Sequence, residues 1–344
     1  MRTVNQYYRT LQKAAVSPDP VLTLFGSLAG GRKWASGVLA PNGKIYGIPY
    51  DSTQVLEIDP ITKTASTFGS LSGADKWWGG VLAPNGKIYG IPESSSSILE
   101  IDPLARTVTT FGSFSGSRKW YGGVLAPNGK IYGLPRSQGT ILEIDPVAKT
   151  ASTFGSVPSG FAGGVLAPNG KIYGIPFVAT VVLEIDPISR TATTFGSLPM
   201  RDKWIGGVLG NNGKAYGAPL SISSILEINP TLNSAISFGS VKSGYYGSTL
   251  APNGKIYNIP TQATTILVLD TNDRSTTYIG SFPVGAKWIG GVLAPNGNIY
   301  AIPYHSTTVL EISNIGTPTL DMTSLPSPIS GLATSVYNRH QNKF

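Results

Sequence analysis

A fourteen-residue sequence, GGVLAPNGKIYGIP, begins at Gly79 and recurs almost unchanged at Gly122 and Gly163. The asparagine of its central turn marks seven copies, at Asn42, Asn85, Asn128, Asn169, Asn212, Asn253 and Asn296, spaced 43, 43, 41, 43, 41 and 43 residues apart. A period near 42 residues restricts the fold to stacked pairs of helices or to the four-stranded blades of a propeller. The repeat therefore constrains the architecture more than any other feature.

The residue types within each copy favour strands. Every copy has Asn-Gly between two apolar runs, which predicts a hairpin, and we expect a type I′ turn with positive φ at both central residues. Each copy also has glycine, proline and β-branched residues where a helix would need alanine, leucine and glutamate. These features exclude a helical solenoid.

Residues 37–70 illustrate one repeat unit. The pattern predicts four strands, at residues 37–40, 44–48, 55–59 and 64–68. Pro49 ends the second strand because proline cannot donate to a ladder. Four short antiparallel strands in about 42 residues form one blade, so the sequence predicts an all-β, seven-bladed β-propeller.

The outer strand is present eight times, although seven blades need only seven. LTLFGS, with Phe25, precedes the first unit, and LDMTS, with Met322, follows the last one. Phe25 and Val38 are separated by the standard spacing between blades, so we predict that residues 21–25 complete the last blade and close the ring. Whether residues 319–323 compete for the same place stays open. The resulting organisation is an N-terminal arm (1–20), a propeller (21–325) and a C-terminal tail (326–344).

The unit APNGKIYGIP…VLEIDPITKTASTFGSL resembles the YVTN-type and NHL-like propeller repeats, including the virginiamycin B lyase repeat. The resemblance covers residues 21 to about 325 and implies the fold, but this architecture carries many unrelated functions. It also implies, for the lyase group, a catalytic histidine with a metal-binding carboxylate nearby. Here the histidines are His305, in the last variable loop, and His340, in the tail, and neither has the rest of that set close in sequence.

Composition excludes several classes of function. The chain has no cysteine, which rules out disulfides, thiolate metal sites and cysteine nucleophiles. Its net charge is +8, but six lysines occupy one repeated position, and there is no dense Arg/Lys run with interleaved aromatic residues. We therefore attribute the charge to the repeat and expect no nucleic-acid partner. No apolar run is long enough for a membrane span, and the N-terminus lacks the apolar core of a signal peptide.

One face of the propeller should carry the Asn-Gly turns and the Asp-Pro turns; we call it the turn face. Its lysines are Lys44, Lys87, Lys130, Lys171, Lys214 and Lys255, and its strand-ending aspartates are Asp59, Asp102, Asp145, Asp186 and Asp270. Antiparallel pairing predicts surface ion pairs between them, as between Lys44 and Asp59. The alternative is a cationic ring that binds an anionic partner.

The third strand repeats a glutamate, at Glu57, Glu100, Glu143, Glu184, Glu227 and Glu311, with Val268 as the exception. Acid–base chemistry by two carboxylates needs them close together, whereas these lie on separate blades. We therefore predict that each glutamate accepts a hydrogen bond from the tyrosine opposite, as Glu57 would from Tyr46.

The opposite face, which we call the loop-rich face, carries the loops between the second and third strands and the connections between blades. Those connections place one aromatic residue per blade at the axis: Trp34, Trp77, Trp120, Phe161, Trp204, Tyr245 and Trp288. These seven are our ligand-binding or partner-binding candidates. They could stack on a sugar or on a partner's side chain, or they could be wedges packed between blades.

Both ends lie outside the repeat. Residues 4–15 have the spacing of a short amphipathic helix. We expect the two appendages to contact other protein subunits, through Tyr7, Tyr8, Leu11, Arg339 and Phe344.

These observations predict a non-enzymatic structural or recognition propeller without cofactor or metal. We expect it to be a component of a larger assembly, such as a virion or an extracellular surface appendage, with protein subunits and a surface glycan as partners and no membrane insertion. Two alternatives remain: a carbohydrate-binding propeller that uses the aromatic ring, and a lyase-like or hydrolytic enzyme at the axis.

Overall fold

The structure, a computed structural model, describes residues 19–199 and 203–316. They form seven separate four-stranded antiparallel sheets, each of which is one blade. No helix within these ranges is long and apolar enough to cross a membrane.

The strands follow one another from blade to blade in a constant order. The chain begins with β1 (Val21–Phe25). Blade 1 contains β2 (Trp34–Leu39), β3 (Ile45–Pro49), β4 (Val55–Asp59) and β5 (Thr64–Phe68). Blade 2 contains β6 (Trp77–Leu82), β7 (Ile88–Pro92), β8 (Ile98–Asp102) and β9 (Thr107–Phe111). Blade 3 contains β10 (Trp120–Leu125), β11 (Ile131–Pro135), β12 (Ile141–Asp145) and β13 (Thr150–Phe154).

The remaining four blades repeat this order. Blade 4 contains β14 (Phe161–Leu166), β15 (Ile172–Pro176), β16 (Val182–Asp186) and β17 (Thr191–Phe195). Blade 5 contains β18 (Trp204–Leu209), β19 (Ala215–Pro219), β20 (Ile225–Asn229) and β21 (Ser234–Phe238). Blade 6 contains β22 (Tyr245–Leu250), β23 (Lys255–Pro260), β24 (Ile266–Asp270) and β25 (Thr276–Ile279). Blade 7 contains β26 (Trp288–Leu293), β27 (Ile299–Pro303) and β28 (Val309–Ser313).

The first strand of the chain completes the last blade, which confirms the predicted closure. β1 pairs antiparallel with β28, with Val21 opposite Ser313 and Phe25 opposite Val309. The innermost strands contact their neighbours all the way round, and β26 contacts β2. The second copy of the outer strand, at 319–323, lies outside the described residues, as do the helix predicted at 4–15 and the tail.

The innermost strands begin earlier than predicted. β2 starts at Trp34 rather than at Gly37. A β-bulge lies between these residues, and the strand still pairs with β3 on both sides of it, at Trp34 and at Gly37. The bulge places Ser36 at φ 81°, and the same position is a positive-φ glycine in the other six blades, such as Gly79. The candidate aromatic residues are thus the first residues of the inner strands and not part of the preceding loops.

The turns after the inner strands form hairpins as predicted, but the expected type I′ geometry is wrong. In blade 1 the Gly43 amide donates to the Ala40 carbonyl at 3.0 Å, and φ is positive at Gly43 but not at Asn42. This is a type I turn followed by a left-handed glycine, which proline at the second turn position favours. The Asn42 side chain accepts from the Lys44 amide at 3.1 Å and donates to the Tyr46 hydroxyl at 2.9 Å.

Seven apolar clusters lie between adjacent blades. In one of them Trp34, Ile45 and Leu56 of blade 1 pack against Val292 and Ile302 of blade 7. Both faces of each sheet are therefore covered, which explains why the three inner strands of a blade are apolar at most positions.

Candidate functional site at the axis

The seven predicted aromatic residues are wedges between blades. Their relative exposures are between 0% and 3%, and the indole of Trp34 donates to the Gln54 carbonyl at 2.8 Å. The other four tryptophans donate in the same way to a carbonyl twenty residues later. Because no ring face reaches solvent, we assign these side chains to packing and do not retain them as binding candidates.

The lysines that precede the five tryptophans are buried as well. Their relative exposures run from 0% to 7%: Lys33, Lys76, Lys119, Lys203 and Lys287. The Lys33 ammonium donates to the carbonyls of Gly30 and Ser306 at 2.6 and 2.9 Å. Burial lowers the pKa of Lys33 to about 8. These lysines join the connection between two blades to the loop of the preceding blade, a role that the sequence analysis missed.

The glutamates of the third strands are held as predicted, with an additional partner. The Tyr46 hydroxyl donates to Glu57 at 3.1 Å, and the Lys44 ammonium lies 3.0 Å from the same carboxylate but 3.7 Å from Asp59. The predicted Lys44–Asp59 pair is therefore secondary. Arg106, from the next blade, also binds Glu57, at 2.7 Å. All three donors share this one carboxylate, which therefore connects two strands of blade 1 with each other and with blade 2. We call such a shared glutamate and its donors a joint.

This joint recurs around the turn face. The cation from the next blade is Lys63 for Glu311, Lys149 for Glu100, Arg190 for Glu143 and Arg274 for Glu227. Asn233 takes this place for Glu184: when its amide is turned so that the nitrogen faces the neighbouring acceptors, that nitrogen donates to the carboxylate at 3.1 Å. Blade 6 has Val268 instead of glutamate, and its neighbour is blade 7, where the outer strand comes from the other end of the chain. In the other blades the cation or amide comes from the turn between the third and the outer strand of the next blade. Blade 7 has no such turn between β28 and β1, so blade 6 lacks the glutamate where this partner is also missing.

The two faces differ in charge. On the turn face the described residues comprise eleven cationic and thirteen acidic side chains, most of them in the joints just described. Within the described ranges, the loop-rich face has nine cationic residues, Arg32, Lys33, Lys76, Arg118, Lys119, Arg136, Lys203, Lys242 and Lys287, against Asp51, Asp75 and Glu93. Its net charge is thus +6. Attribution of the excess charge to the repeated lysines was wrong, because those lysines are neutralised by Glu and Asp.

An eighth cluster crosses the axis on the loop-rich face. It contains the second residue of every inner strand: Ala35, Trp78, Tyr121, Ala162, Ile205, Tyr246 and Ile289. The first residues of several adjacent loops, including Tyr50, Phe177 and Tyr304, join it. The Trp78 ring of blade 2 approaches Tyr246 of blade 6, three blades away around the ring, to 5.5 Å between ring centroids. We call this group the axial cluster.

Part of the axial cluster is a continuous stack. Trp78 and Tyr121 are parallel, with centroids 4.8 Å apart and an interplanar angle of 9°. The guanidinium of Arg136 lies 5.4 Å from the Tyr121 centroid and 4.5 Å from that of Phe177. Tyr121, Arg136 and Phe177 are half-buried, so one side of the stack reaches solvent.

The charged groups beside the cluster are unequally satisfied. Arg32 pairs with Asp51 at 3.4 Å and with Asp75, and it donates to the Tyr304 hydroxyl at 3.3 Å. Buried Glu93 accepts from Tyr121 at 3.2 Å and from Ser94, and burial raises its pKa.

Two polar atoms here have no hydrogen-bond partner among the described residues, the Arg136 Nε and the Tyr246 hydroxyl, and the hydroxyl of Ser36 in β2 has none either.

His305 lies at the edge of this region. Its ring packs edge-on against Tyr304, with centroids 4.9 Å apart. Burial and the adjacent Lys33 and Arg32 lower its pKa, against the opposing effect of Asp51. Within residues 19–199 and 203–316 no three His, Cys, Asp or Glu side chains are grouped as metal ligands would be.

The sequence does contain a signal for the axial cluster. Trp34 packs between two blades, and the side chain of the next residue points to the opposite side of the strand. In all seven blades this next residue belongs to the axial cluster. That position is Ala, Trp, Tyr, Ala, Ile, Tyr and Ile in the seven copies, whereas its flanking residues hardly change. A position that varies within an otherwise constant repeat is not needed for the packing that all blades share. Such positions indicate where the surface can differ between blades.

Comparisons with known proteins establish the fold. Residues 14–159 match a repeat of unknown function (DUF6923). No curated protein matches the chain in sequence. Virginiamycin B lyase from Staphylococcus aureus superimposes with a TM-score of 0.74 at 13% identity, covering 86% of this chain and 99% of that one. A structure of streptogramin B lyase gives 0.73 at 14% identity, covering 86% and 97%.

A third structure comes from a different class of protein. It is an extracellular domain from B. thetaiotaomicron, described as part of a hybrid two-component system, with a TM-score of 0.65 at 12% identity. It covers 86% of this chain and 43% of that one. The chain is therefore a seven-bladed β-propeller whose fold is shared by a lyase and by extracellular domains.

Proposed function

We propose that the chain is a non-enzymatic recognition propeller that binds a surface glycan at the axial end of its loop-rich face. The observation that carries this proposal is the axial cluster, where the repeat varies at the positions that face the axis. Aromatic rings with one accessible side suit the apolar face of a sugar. Service in a larger assembly, such as a virion or an extracellular surface structure, belongs to this proposal, as do subunit contacts through the ends of the chain.

The turn face supports this choice by contrast. A cleft of about 450 Å³ on that face is lined by Lys214, Glu227 and Arg274. Both cations already bind the glutamate, at 2.7 and 2.9 Å, so the cleft belongs to the joints between blades.

An array of neutral and acidic glycans tests recognition. We expect wild type to bind a defined set of glycans, Tyr121→Ser to lose that binding, and Ile61→Ser to keep it. Ile61 is 89% exposed on the turn face, so its replacement is a matched surface control. Absence of binding by wild type, or equal loss in both variants, would contradict the proposal.

The lyase alternative rests on the structural likeness and has its own test. One solved structure holds a catalytically inactive histidine-to-alanine variant of virginiamycin B lyase with quinupristin. We expect quinupristin to be unchanged, by mass spectrometry, after incubation with this chain with and without divalent cations. Turnover that His305→Ala abolishes would show an enzyme instead.

A further inference from the structure

The unpaired guanidinium in the axial cluster indicates what kind of glycan the loop-rich face takes. Arginine stays charged at all physiological pH values, and its five N–H groups need acceptors. Among the described residues the Arg136 side chain makes no hydrogen bond or ion pair, and its Nε is buried. It is held only by the rings of Tyr121 and Phe177, at 5.4 and 4.5 Å.

Arg32, on the same face, is the internal comparison. It has two carboxylates and a tyrosine hydroxyl as acceptors within the protein. Arg136 occupies the first position of its loop, which is Glu93 in the preceding blade and Phe177 in the next one. A cation fixed between two rings with its donors unused has the arrangement of a preorganised anion anchor.

Two further observations point to the same place. The hydroxyl of Tyr246, which is 7% exposed, is buried in the axial cluster without a partner among the described residues. The described residues of this face also have a net charge of +6, which attracts anions over a distance of about 10 Å at moderate ionic strength.

We propose that the axial cluster binds an acidic saccharide, with Arg136 as the residue that pairs with its anionic group. The inference rests on the proposed glycan recognition and adds the chemical class of the ligand. The planar fork of the guanidinium donates two parallel hydrogen bonds to a carboxylate or a sulfate, while the sugar lies beside the solvent-exposed edge of the half-buried Tyr121 and Phe177 rings.

Three oligosaccharide probes of similar length separate the sources of the anion: oligogalacturonate for carboxylate, a heparin oligosaccharide for sulfate, and a galactan oligosaccharide as the neutral form. Binding is measured by calorimetry and by tryptophan fluorescence. We expect at least one acidic probe to bind and the neutral one to bind at least tenfold more weakly.

The variants compare Arg136 with a neighbouring cation. Arg136→Gln should weaken binding of the acidic probe about 10- to 100-fold, as expected for loss of a charge-assisted pair. Arg136→Lys keeps the charge but not the fork and should rescue only part of it. Arg118→Gln removes the same charge from an exposed site on the same face and should change affinity less than threefold. Thermal melts establish that each variant is folded.

Equal effects of Arg118→Gln and Arg136→Gln would overturn the inference, since binding would then follow the charge of the face alone. Unweakened binding of the neutral probe would also overturn it, while glycan recognition would stand if Tyr121→Ser still abolished binding. Failure of all three probes together with a silent array would remove both proposals.

Discussion

Ser36 shows how a single residue departs from the repeat at a measurable cost. It has φ 81° where the other six blades have glycine, and its hydroxyl is buried without a partner. A left-handed conformation costs a non-glycine residue about 1–2 kcal/mol. A position that keeps both penalties is a candidate for a role other than stability.

Ser36→Gly should therefore stabilise the free protein by about 1 kcal/mol, because relief of strain and of the unpaired hydroxyl exceeds the added entropy of the unfolded chain. Urea denaturation measures the change. The matched substitution Gly79→Ser should act in the opposite direction. A loss of stability in Ser36→Gly would mean that its hydroxyl is satisfied in solution.

The tyrosines of the second strands set the alkaline limit of stability. Burial raises the pKa to about 12 for six of them: Tyr46, Tyr89, Tyr132, Tyr173, Tyr216 and Tyr300. Their pKa in the unfolded chain is near 10. The folded state therefore favours the neutral phenol, and this contribution is complete below pH 10 and is lost as the pH rises to 12.

We expect the free energy of unfolding to fall steeply between pH 10 and 12, with tyrosinate absorbance appearing together with loss of the β-sheet signal. Tyrosinate formation well below pH 12 in a fully folded protein would contradict this.

At the scale of elements, two segments of the chain match one place in blade 7. β1 occupies it, with Leu22 and Phe25 directed toward the blade interface and Phe25 edge-on to Tyr300 at 6.1 Å. With the spacing of the other blades, the second copy would place Thr319 and Met322 there. Leucine and phenylalanine bury more apolar surface than threonine and methionine, which favours β1.

Phe25→Ala should therefore destabilise the protein by about 2 kcal/mol, because it removes a half-buried ring from the closing strand. Met322→Ala should leave stability within about 0.5 kcal/mol. Chemical denaturation measures both. The reverse ranking would show that the C-terminal copy holds the place in solution.

Local patterns were enough to predict the blades. Asn-Gly turns, the prolines that end strands and the constant spacing from Lys44 to Asp59 give the hairpins, and the extra outer strand gives the closure. For the joints between blades, the sequence predicted the bond from Tyr46 to Glu57 but not the ion pair from Arg106 to Glu57. Arg106 belongs to the next blade, and strand pairing within one sheet gives no information about contacts between blades. The axial cluster was not predicted, because its members differ from one repeat to the next and form no recurring motif.

For the whole molecule, the ring separates charge although the repeat is nearly uniform. Each lysine of the turn face lies beside a glutamate or aspartate, while the loop-rich face retains +6. The protein should therefore approach anionic surfaces in one orientation.

Retention on a cation exchanger tests this asymmetry. Arg118→Gln with Lys242→Gln removes two charges from the loop-rich face, and Lys63→Gln with Arg190→Gln removes two from the turn face. The first pair should elute at the lower salt concentration, although both variants have the same net charge. Elution of both variants at the same salt concentration would mean that the protein does not bind the exchanger preferentially through its loop-rich face.

The pairing of β1 with β28, in which Val21 lies opposite Ser313, has a consequence for the time course of folding. It joins residues 292 positions apart, so β1 finds its partner only after all other blades have been synthesised. Until then β1 has no strand to pair with. Completion of the circle is consequently the last and slowest event, and the growing polypeptide is most exposed to mispairing just before its final hairpin leaves the ribosome.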